Sequence, residues 1–502
     1  MRHPRVRLVA ALLLLSWTAA LPAQAPAVAD RDAEAVARAR ALVASWVAAS
    51  GGPASQISVS RDGRILWSEA FGYANLELKI PATPRTRFRI GSVSKPLTAA
   101  AIGRLVEDGR LDLDAPVQRY VPDFPEKPWP ITARQLAGHL AGIRHYRPGE
   151  FVSQRHYDSV RASLAVFEND PLLFEPGTRF AYSSYGWNLL SAVVEGASGQ
   201  PFLEFMQKRV FEPAGMADTS ADDPGPIVPN RASFYTRDKE DGPIRNALYV
   251  DNSVKWAGGG FLSTTDDLLR FANGLMAGTL LTPQTVTLLW SSQRTADGKE
   301  TGYGIGFDNE PDAAGRRRVF HSGSAQGGTA ILILYPDERL AIAMAGNTDY
   351  AFTGRARELV RLFLEGEDLG RWESREAGFA FTVPPVWAAR VRASFRTGKE
   401  AQAVHPKAVA AVPFRYTQYG NVDAPPILTI LIFPSEEWRA MAKAKTIPPG
   451  GEVLANRGGR TWVAVPLEKN PYVPGSPDFE AFEEIRVDAA AVRKAFALRP
   501  GS

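Results

Sequence analysis

Two strand pairs that bracket a long, mostly helical stretch constrain the fold of this 502-residue chain more than any other feature of its sequence. Apolar and polar residues alternate from Ile57 to Trp67 around a tight turn at Asp62-Gly63, which is typical of a β-hairpin. A second pair, at 329–335 and 340–344, is joined by a turn at Pro336-Asp337. Much of the intervening chain shows the apolar spacing of amphipathic helices. Strands at both ends with helices between them predict an α/β (α+β) fold, in which an antiparallel sheet is flanked by helices with a helical lobe beside it.

The pattern changes after about residue 370. Apolar runs and a helix-start signal follow one another there, at 379–383, 427–433, 435–437 and 461–465. We therefore expect a main domain of residues 30–370 and an accessory α+β domain of residues 375–502. No catalytic pattern occurs in the accessory segment. Two interpretations stay open for it: contact with a partner or the cell wall, or passive cover of the main domain.

The first 29 residues have the three parts of a secretory signal peptide. Three arginines precede an apolar run at 8–15, and small residues follow at 23–29. We expect the mature protein to be periplasmic or secreted. An uncleaved anchor is the alternative, but the apolar run is shorter than a membrane span requires.

Removal of that leader brings the net charge close to zero. The chain has 58 Lys and Arg against 54 acidic residues, and the leader holds three arginines and no acid, so 55 basic residues remain. Since no polybasic run is left, we expect no nucleic-acid partner.

The chain contains no cysteine, which excludes disulfides, a thiol nucleophile and cysteine-ligated metals. Its histidines lack the spacing of zinc-binding motifs, so we expect no metal. The run Gly258 to Gly260 lacks the lysine and hydroxyl residue of a phosphate-binding loop, and predicts a turn. We expect no cofactor.

Ser92 and Lys95 are the first catalytic candidates. They stand where a helix is predicted to begin, because apolar residues recur at helical spacing as far as the stop signal Asp108-Gly109. Residues three apart share a helix face, so Lys95 can reach the Ser92 hydroxyl. A desolvated lysine can be neutral and accept that proton, which makes the serine a nucleophile. The Ser-x-x-Lys pattern is short, and its meaning depends on the rest of the chain.

Two further motifs follow in order: Tyr182-Ser183-Ser184 before a predicted helix, and His321-Ser322-Gly323 before a predicted strand. With Ser92 and Lys95, they resemble the three motifs of the serine β-lactamase and penicillin-binding-protein superfamily, in its class C branch. Longer stretches are most similar to the mitochondrial lactamase-like serine protease of animals. These stretches are GSVSKPLT (91–98), LDLDAPVQRYVPDFPEK (111–127), GIRHY (142–146) and DNSVKWAGGGFLSTTDDLLRFAN (251–273).

The resemblance implies acyl transfer through a covalent serine intermediate, on the fold predicted above. Ser92 would attack a carbonyl carbon while Lys95, alone or with Tyr182, takes its proton. Tyr182 can be a base only if nearby charge lowers its pKa, and the resemblance implies that Lys95 supplies this charge. The backbone N–H groups of Ser92 and Ser324 would hold the oxyanion. Water, activated by Tyr182, would then release the acyl group.

The resemblance also implies a substrate-binding set, which comprises Ser184, His321, Ser322 and Gly323. Ser184 departs from the family pattern, which has Asn there, and a hydroxyl offers one donor where an amide both donates and accepts. Residues 139–146 resemble a family segment that runs beneath the cleft, so we expect His139 and His145 to be structural.

We therefore expect an exported serine hydrolase that cleaves peptide, D-amino-acid amide or ester bonds in a small-molecule or peptide substrate. The alternative is a non-catalytic, filament-forming scaffold or binding protein on the same fold, as the mitochondrial relative also assembles into filaments. Either form is compatible with a homo-oligomer. The presence of Ser92, Lys95 and Tyr182 favours the hydrolase.

Overall fold

A computed structural model describes residues 28–49, 53–237, 242–312, 315–349, 355–364, 371–384, 387, 391–416, 426–472, 479, 482–483 and 485–499. The predicted leader, residues 1–29, lies outside these ranges except for its last two residues, which begin the first helix. Up to residue 364 the α-helices are α1 (Val28–Ala49), α2 (Ser94–Glu107), α3 (Ala133–Ala137), α4 (Val160–Ser163), α5 (Ser184–Ser198), α6 (Phe202–Met206), α7 (Glu212–Ala214), α8 (Trp256–Gly259), α9 (Thr265–Met276), α10 (Pro283–Trp290) and α11 (Ala356–Leu364). The strands are β1 (Ser55–Arg61), β2 (Arg64–Phe71), β3 (Tyr73–Asn75), β4 (Ile80–Pro81), β5 (Phe88–Arg89), β6 (Ser220–Ala221), β7 (Tyr235–Thr236), β8 (Arg245–Asn246), β9 (Phe261–Ser263), β10 (Val319–Ala325), β11 (Gly328–Tyr335) and β12 (Leu340–Gly346).

A five-stranded antiparallel sheet, in the order β10-β11-β12-β1-β2, forms the centre of this part. The first predicted hairpin joins β1 to β2 at Asp62-Gly63, where φ values of 52° and 76° give the left-handed backbone of a tight turn. The second joins β11 to β12, in register from Thr329↔Gly346 to Tyr335↔Leu340. β1 and β12 pair side by side, so the two distant hairpins form one sheet.

Helices cover both faces of this sheet, and the side chains of β1 are therefore buried on both sides. Ile57 and Val59 pack in a core with residues of α1 and α11. On the other face, Ser58 Oγ lies 2.7 Å from Thr265 Oγ1 at the start of α9. The largest core surrounds α2, α5 and α8, which contact one another. The predicted antiparallel sheet with flanking helices is confirmed.

The chain after residue 370 forms further sheets. The strands are β13 (Arg371–Ser374), β14 (Phe379–Thr382), β15 (Val391–Ala393), β16 (Arg396–Thr397), β17 (Ala410–Tyr416), β18 (Pro426–Pro434), β19 (Glu452–Arg457), β20 (Arg460–Pro466) and β21 (Phe496–Leu498). A three-stranded sheet has the order β13-β14-β21, and a larger one has the order β15-β17-β18-β20-β19, with β16 paired to β17. The helices are α12 (Gly398–Val404), α13 (Ser435–Ala444) and a last one, Ala489–Ala495.

Two apolar clusters hold this C-terminal part, and all their buried members lie between Ala377 and Val492. The strands predicted at 427–433 and 461–465 fall within β18 and β20, and the predicted helix start at Ser435 is the first residue of α13. The α+β character predicted for this segment is confirmed. β13 already begins at Arg371, ahead of the predicted start at 375. The domain boundaries themselves stay a prediction.

Among the helices described here, none combines the length and the apolar character needed to cross a membrane.

Candidate active site

Ser92 lies where the helical core meets the edge strand of the central sheet. A single 3₁₀ turn, Gly91–Val93, carries it, and α2 begins directly afterwards. Gly91 has a φ of 49°, and a Cβ there would lie 2.5 Å from the carbonyl oxygen of Ser324 in β10. Glycine is therefore needed at this position, both for the backbone conformation and for the close approach of the turn to the strand.

The Lys95 amine is buried and reaches the Ser92 hydroxyl. Its Nζ lies 2.9 Å from Ser92 Oγ, 3.2 Å from Ser184 Oγ and 2.6 Å from the Gly258 carbonyl oxygen. Burial lowers the pKa of Lys95 well below the ordinary lysine value. A neutral amine has two N–H groups and one lone pair. The Gly258 carbonyl and the Ser184 hydroxyl can accept the two N–H groups, which leaves the lone pair for the proton of Ser92.

Ser184 meets Lys95 because of the way α5 begins. The Ser183 hydroxyl caps the helix by accepting the Gly186 N–H at 3.0 Å, and Ser184 is the first helical residue. The Ser184 hydroxyl forms hydrogen bonds with both Lys95 and the Tyr146 side chain. The resemblance implied that Ser184 contacts the substrate, and the structure shows that Ser184 also contacts Lys95.

Tyr182 forms a hydrogen bond with Ser92, and its ring centre lies 4.8 Å from Lys95 Nζ. Burial raises the pKa of Tyr182, although the bond with Ser92 opposes the rise. This direction is opposite to the predicted lowering by a charged Lys95, because the same burial that holds back ionisation of the phenol neutralises the lysine. The phenol therefore keeps its proton and can donate it to Ser92 Oγ.

Two histidines hold the second motif through its backbone. The Ser183 N–H donates to His139 Nδ1 and the Ser184 N–H donates to His145 Nδ1, each at 3.1 Å. Burial lowers the pKa of both rings, to about 4 for His145, so both Nδ1 atoms are free to accept. The sequence indicated a structural role for these residues, but not these contacts. Their similarity to the family segment beneath the cleft was the signal that could have suggested them.

The third motif lies on β10 against the turn that carries Ser92. A Cβ on Gly323 would lie 2.0 Å from the Ile90 carbonyl oxygen and 2.9 Å from the Ser92 nitrogen, so this strand position also requires glycine. The side chains of Ser322 and Ser324 are exposed, and both residues line the cleft.

The backbone of β10 directs the Ser324 N–H away from the paired strand β11, toward the open edge of the sheet. Phe320 exchanges both backbone hydrogen bonds with Asp308, each at 2.9 Å, so its N–H points away from the paired strand β11. Successive residues of a strand alternate in this direction, and β10 pairs with β11 without a register shift. Ser324, four residues on, therefore presents its N–H on the same open edge, where the Ser92 turn lies.

His321 lines the cleft with both ring nitrogens bonded to the protein. Nδ1 lies 2.6 Å from the Ser322 carbonyl oxygen and Nε2 lies 2.9 Å from the Tyr303 hydroxyl. A carbonyl only accepts, so Nδ1 carries the proton and Nε2 accepts from Tyr303. Burial lowers the pKa of His321 to about 3. The ring is neutral at pH 7, so it can contact a substrate through van der Waals interactions but not through a charge.

The cleft also contains two charged residues that the sequence did not identify as part of the site. Its volume is about 320 Å³, and Lys255 and Asp308 both line it. The Lys255 ammonium donates to the Phe151 carbonyl at 2.8 Å, and burial lowers the pKa of Lys255 to about 8. Burial raises the pKa of Asp308 to about 6. No short sequence motif around Lys255 or Asp308 indicates that either residue lies in the cleft.

The glycine run that follows Trp256 supplies the carbonyl that Lys95 binds. The predicted turn is in fact the end of the short helix α8, where a Cβ on Gly258 would lie 3.0 Å from the Ser184 carbonyl oxygen. In the part of the chain that the structure describes, no three His, Asp or Glu side chains come close enough together to hold a metal ion.

Comparisons with known proteins bear on this arrangement. The profile of the family described as "Beta-lactamase" matches residues 39–365. The human mitochondrial serine beta-lactamase-like protein LACTB is 33% identical over 419 residues, which cover 65% of this chain and 76% of the relative. A D-aminopeptidase of Brucella anthropi is 27% identical over 377 residues, or 70% of this chain and 69% of the enzyme.

The octameric penicillin-binding protein homologue from Pyrococcus abyssi is similar in structure. It aligns with a TM-score of 0.58 and 22% identity, over 86% of this chain and 96% of that one. At this identity the likeness concerns the fold alone. The family profile covers more than half of the chain, and it spans all three motifs. The chain therefore belongs to the β-lactamase family of serine hydrolases, with LACTB-like proteins among its relatives.

Proposed function

We propose that this protein is an exported serine hydrolase that cleaves peptide, D-amino-acid amide or ester bonds through an acyl-enzyme on Ser92. One observation carries the proposal: the buried Lys95 amine lies 2.9 Å from Ser92 Oγ, and its two N–H groups have other acceptors. The lone pair is thereby directed at the proton that must leave the serine.

In the first half of the reaction, Ser92 Oγ forms a bond to the substrate carbonyl carbon, and its proton passes to Lys95 Nζ. The N–H groups of Ser92 and Ser324 stabilise the resulting oxyanion, because the strand edge and the 3₁₀ turn present both donors to one place. The bond to the leaving amine or alcohol then breaks, and the leaving group takes a proton from Lys95 directly or through the Tyr182 hydroxyl.

In the second half, water adds to the acyl carbon and the ester bond to Ser92 breaks. The water's proton passes to Lys95, and Ser92 Oγ recovers a proton as it leaves. Tyr182 keeps its own proton at neutral pH, so we assign it the role of a relay and hydrogen-bond donor, with Lys95 as the principal base.

The relatives support a substrate of this class, since one of them is named a D-aminopeptidase. Export rests on the predicted leader, and Edman sequencing of the mature protein from a periplasmic fraction tests it. We also propose a homo-oligomer, on the analogy of the octameric archaeal homologue. Light scattering of the purified protein measures that directly.

Labelling with a fluorophosphonate probe tests the central proposal. Mass spectrometry should find the adduct on the peptide that contains Ser92, and Ser92→Ala should abolish both labelling and turnover. Ser94→Ala is the matched control, because this neighbouring hydroxyl is buried and accepts the Phe261 N–H at 3.3 Å. An adduct on another residue, or turnover that survives in Ser92→Ala, would overturn the assignment.

A further inference from the structure

Asp308 is a carboxylate in the cleft that the proposed reaction does not use. Among the described residues that line the cavity, it is the single acidic one, and it shares that lining with Tyr182 and His321. Its backbone N–H and C=O are both bonded to Phe320, which fixes the residue beside the edge strand. The backbone of Asp308 is therefore held at the cleft by the same strand that carries His321 and Ser324.

The carboxylate has no ion-pair partner in the described part of the chain. Arg318 is near enough to favour its charged form, but the Arg318 guanidinium lies over the Phe320 ring at 4.3 Å and donates to the Glu310 carbonyl at 3.3 Å. Tyr182, Tyr303 and His321, which lie on the same side of the site, are uncharged at neutral pH. Lys255 is the cation of the cavity lining, but its ammonium donates to the Phe151 carbonyl, and the charges that shift the pKa of Asp308 are those of Glu310 and Arg318. A half-buried carboxylate thus faces the cavity without an ion pair among the described residues, and a cation bound beside it would stabilise its charge.

We propose that Asp308 selects substrates that carry a positive charge near the scissile bond, such as a free amine on the acyl side. This inference rests on the proposed function, because it assumes that the substrate acylates Ser92 in the same cavity. A cation in the cleft gains a charge-assisted contact with the carboxylate. A neutral substrate of the same shape leaves the carboxylate unpaired, and should react at least about tenfold more slowly in kcat/KM.

The ionisation of Asp308 gives this preference a pH signature. Burial and the neighbouring Glu310 raise the pKa of Asp308 to about 6, while Arg318 opposes the rise. The carboxylate is charged above that pH, so the preference for cations is present there and is lost as the pH falls through about 6. Burial places the pKa of His321 at about 3 and raises those of Tyr182 and Tyr303, so these groups keep their charge state across this window. Lys255, with a pKa of about 8, stays a cation on both sides of the Asp308 titration as long as the pH does not exceed about 7.

The test uses two esters that differ only in charge. One is the p-nitrophenyl ester of a trimethylammonio-butanoic acid, and the other is its carbon isostere, in which a tert-butyl group replaces the trimethylammonium. A quaternary ammonium does not titrate, so any pH effect on the ratio of the two kcat/KM values belongs to the enzyme. We expect the full-length protein to favour the cationic ester at about pH 7 and to lose most of that preference at about pH 5, a range in which Lys255 stays charged.

Asp308→Asn should lower the ratio at least about tenfold at the higher pH and make it independent of pH. Glu310→Gln is the matched control, since it removes an exposed neighbouring charge that does not line the cavity, and the ratio should stay near that of the parent protein. An equal ratio in the parent protein and Asp308→Asn, with turnover of both esters still dependent on Ser92, would overturn this inference alone. Turnover of neither ester, or turnover that survives in Ser92→Ala, would overturn the proposed function and the inference with it.

Discussion

Burial shifts the pKa of Lys95, His321 and Tyr182 so that each side chain favours its uncharged form. The direction of each shift depends on whether the charged form is a cation or an anion. The pKa of Lys95 and of His321 falls because desolvation disfavours a cation, whereas that of Tyr182 rises because it disfavours a phenolate. Lys95 is then a base, and Tyr182 and His321 are hydrogen-bonding groups. Lys255, with a pKa of about 8, is the remaining cation of the cavity lining near neutral pH.

Replacement of Lys95 tests its role as the base. Lys95→Met keeps the length of the buried side chain but removes the amine, and we expect acylation of Ser92 by the fluorophosphonate to slow by about 10²- to 10⁴-fold. In the parent protein the labelling rate should rise with pH and level off well below pH 10.5, since the neutral amine is the active form. Lys255→Met, which removes the other lysine of the cleft, should cost much less. Equal losses in the two variants would argue against a specific proton transfer to Lys95.

Ser184 leads us to expect slow or absent hydrolysis of penicillins and cephalosporins. Its single hydroxyl is already bonded to Lys95 and Tyr146, so it has little capacity left for the side-chain amide of a β-lactam. Each contact left unmade costs about 1–3 kcal/mol, or roughly 5- to 150-fold in rate. The measurement is the initial rate of nitrocefin hydrolysis by the purified protein. Efficient clearance would show that other cleft residues replace the missing amide.

At the scale of elements, the start of α5 depends on a neighbouring segment. His139 adopts a φ of 60° and accepts the Ser183 N–H, so one residue combines an unusual backbone with a buried contact. His139→Ala leaves that N–H unpaired, and we expect it to lower the free energy of unfolding by about 1–3 kcal/mol and to slow labelling of Ser92.

His139→Asn is the matched variant for this prediction. Asparagine tolerates the left-handed backbone, and its side-chain oxygen can accept the same N–H, so part of both losses should be recovered. Urea denaturation and labelling rates together measure the two effects. If alanine and asparagine cause the same loss, the ring's packing against Tyr182, at 4.2 Å between ring centres, matters more than the hydrogen bond.

Local patterns account for the part of the fold and site that could be predicted from the sequence. The hairpin at Asp62-Gly63 and the contact from Lys95 to Ser92 involve residues close together in the chain, and the motif order then indicates the fold. Asp308 could not be placed in the cleft, because its position depends on pairing with Phe320 and on how β10 lies against the Ser92 turn. The effect of its charge depends on the residues that the fold places around it.

At the scale of the whole molecule, the apolar clusters of the described residues fall into two groups along the chain. Buried members of the two N-terminal clusters lie between Ala35 and Phe363, and those of the two C-terminal clusters between Ala377 and Val492. Trp387 and Trp462 are fully buried within the second group, where each indole N–H has a backbone acceptor, Ile485 and Ala377 respectively. Each part thus has apolar material of its own to stabilise it.

This division predicts the behaviour of a chain truncated after Gly370. All residues assigned to the reaction precede residue 325, so the truncated protein should stay soluble and label at Ser92 at a rate close to that of the full-length protein. The truncation should change the range of substrates or the binding of partners, because the removed part would control which molecules reach the cleft. The comparison needs thermal unfolding as well as labelling, since a lost interface lowers the melting temperature without touching the chemistry. Aggregation, or a folded protein that no longer labels, would show that the C-terminal part packs into the catalytic core or its cleft, and that the boundary at 370 cuts through one cooperative unit.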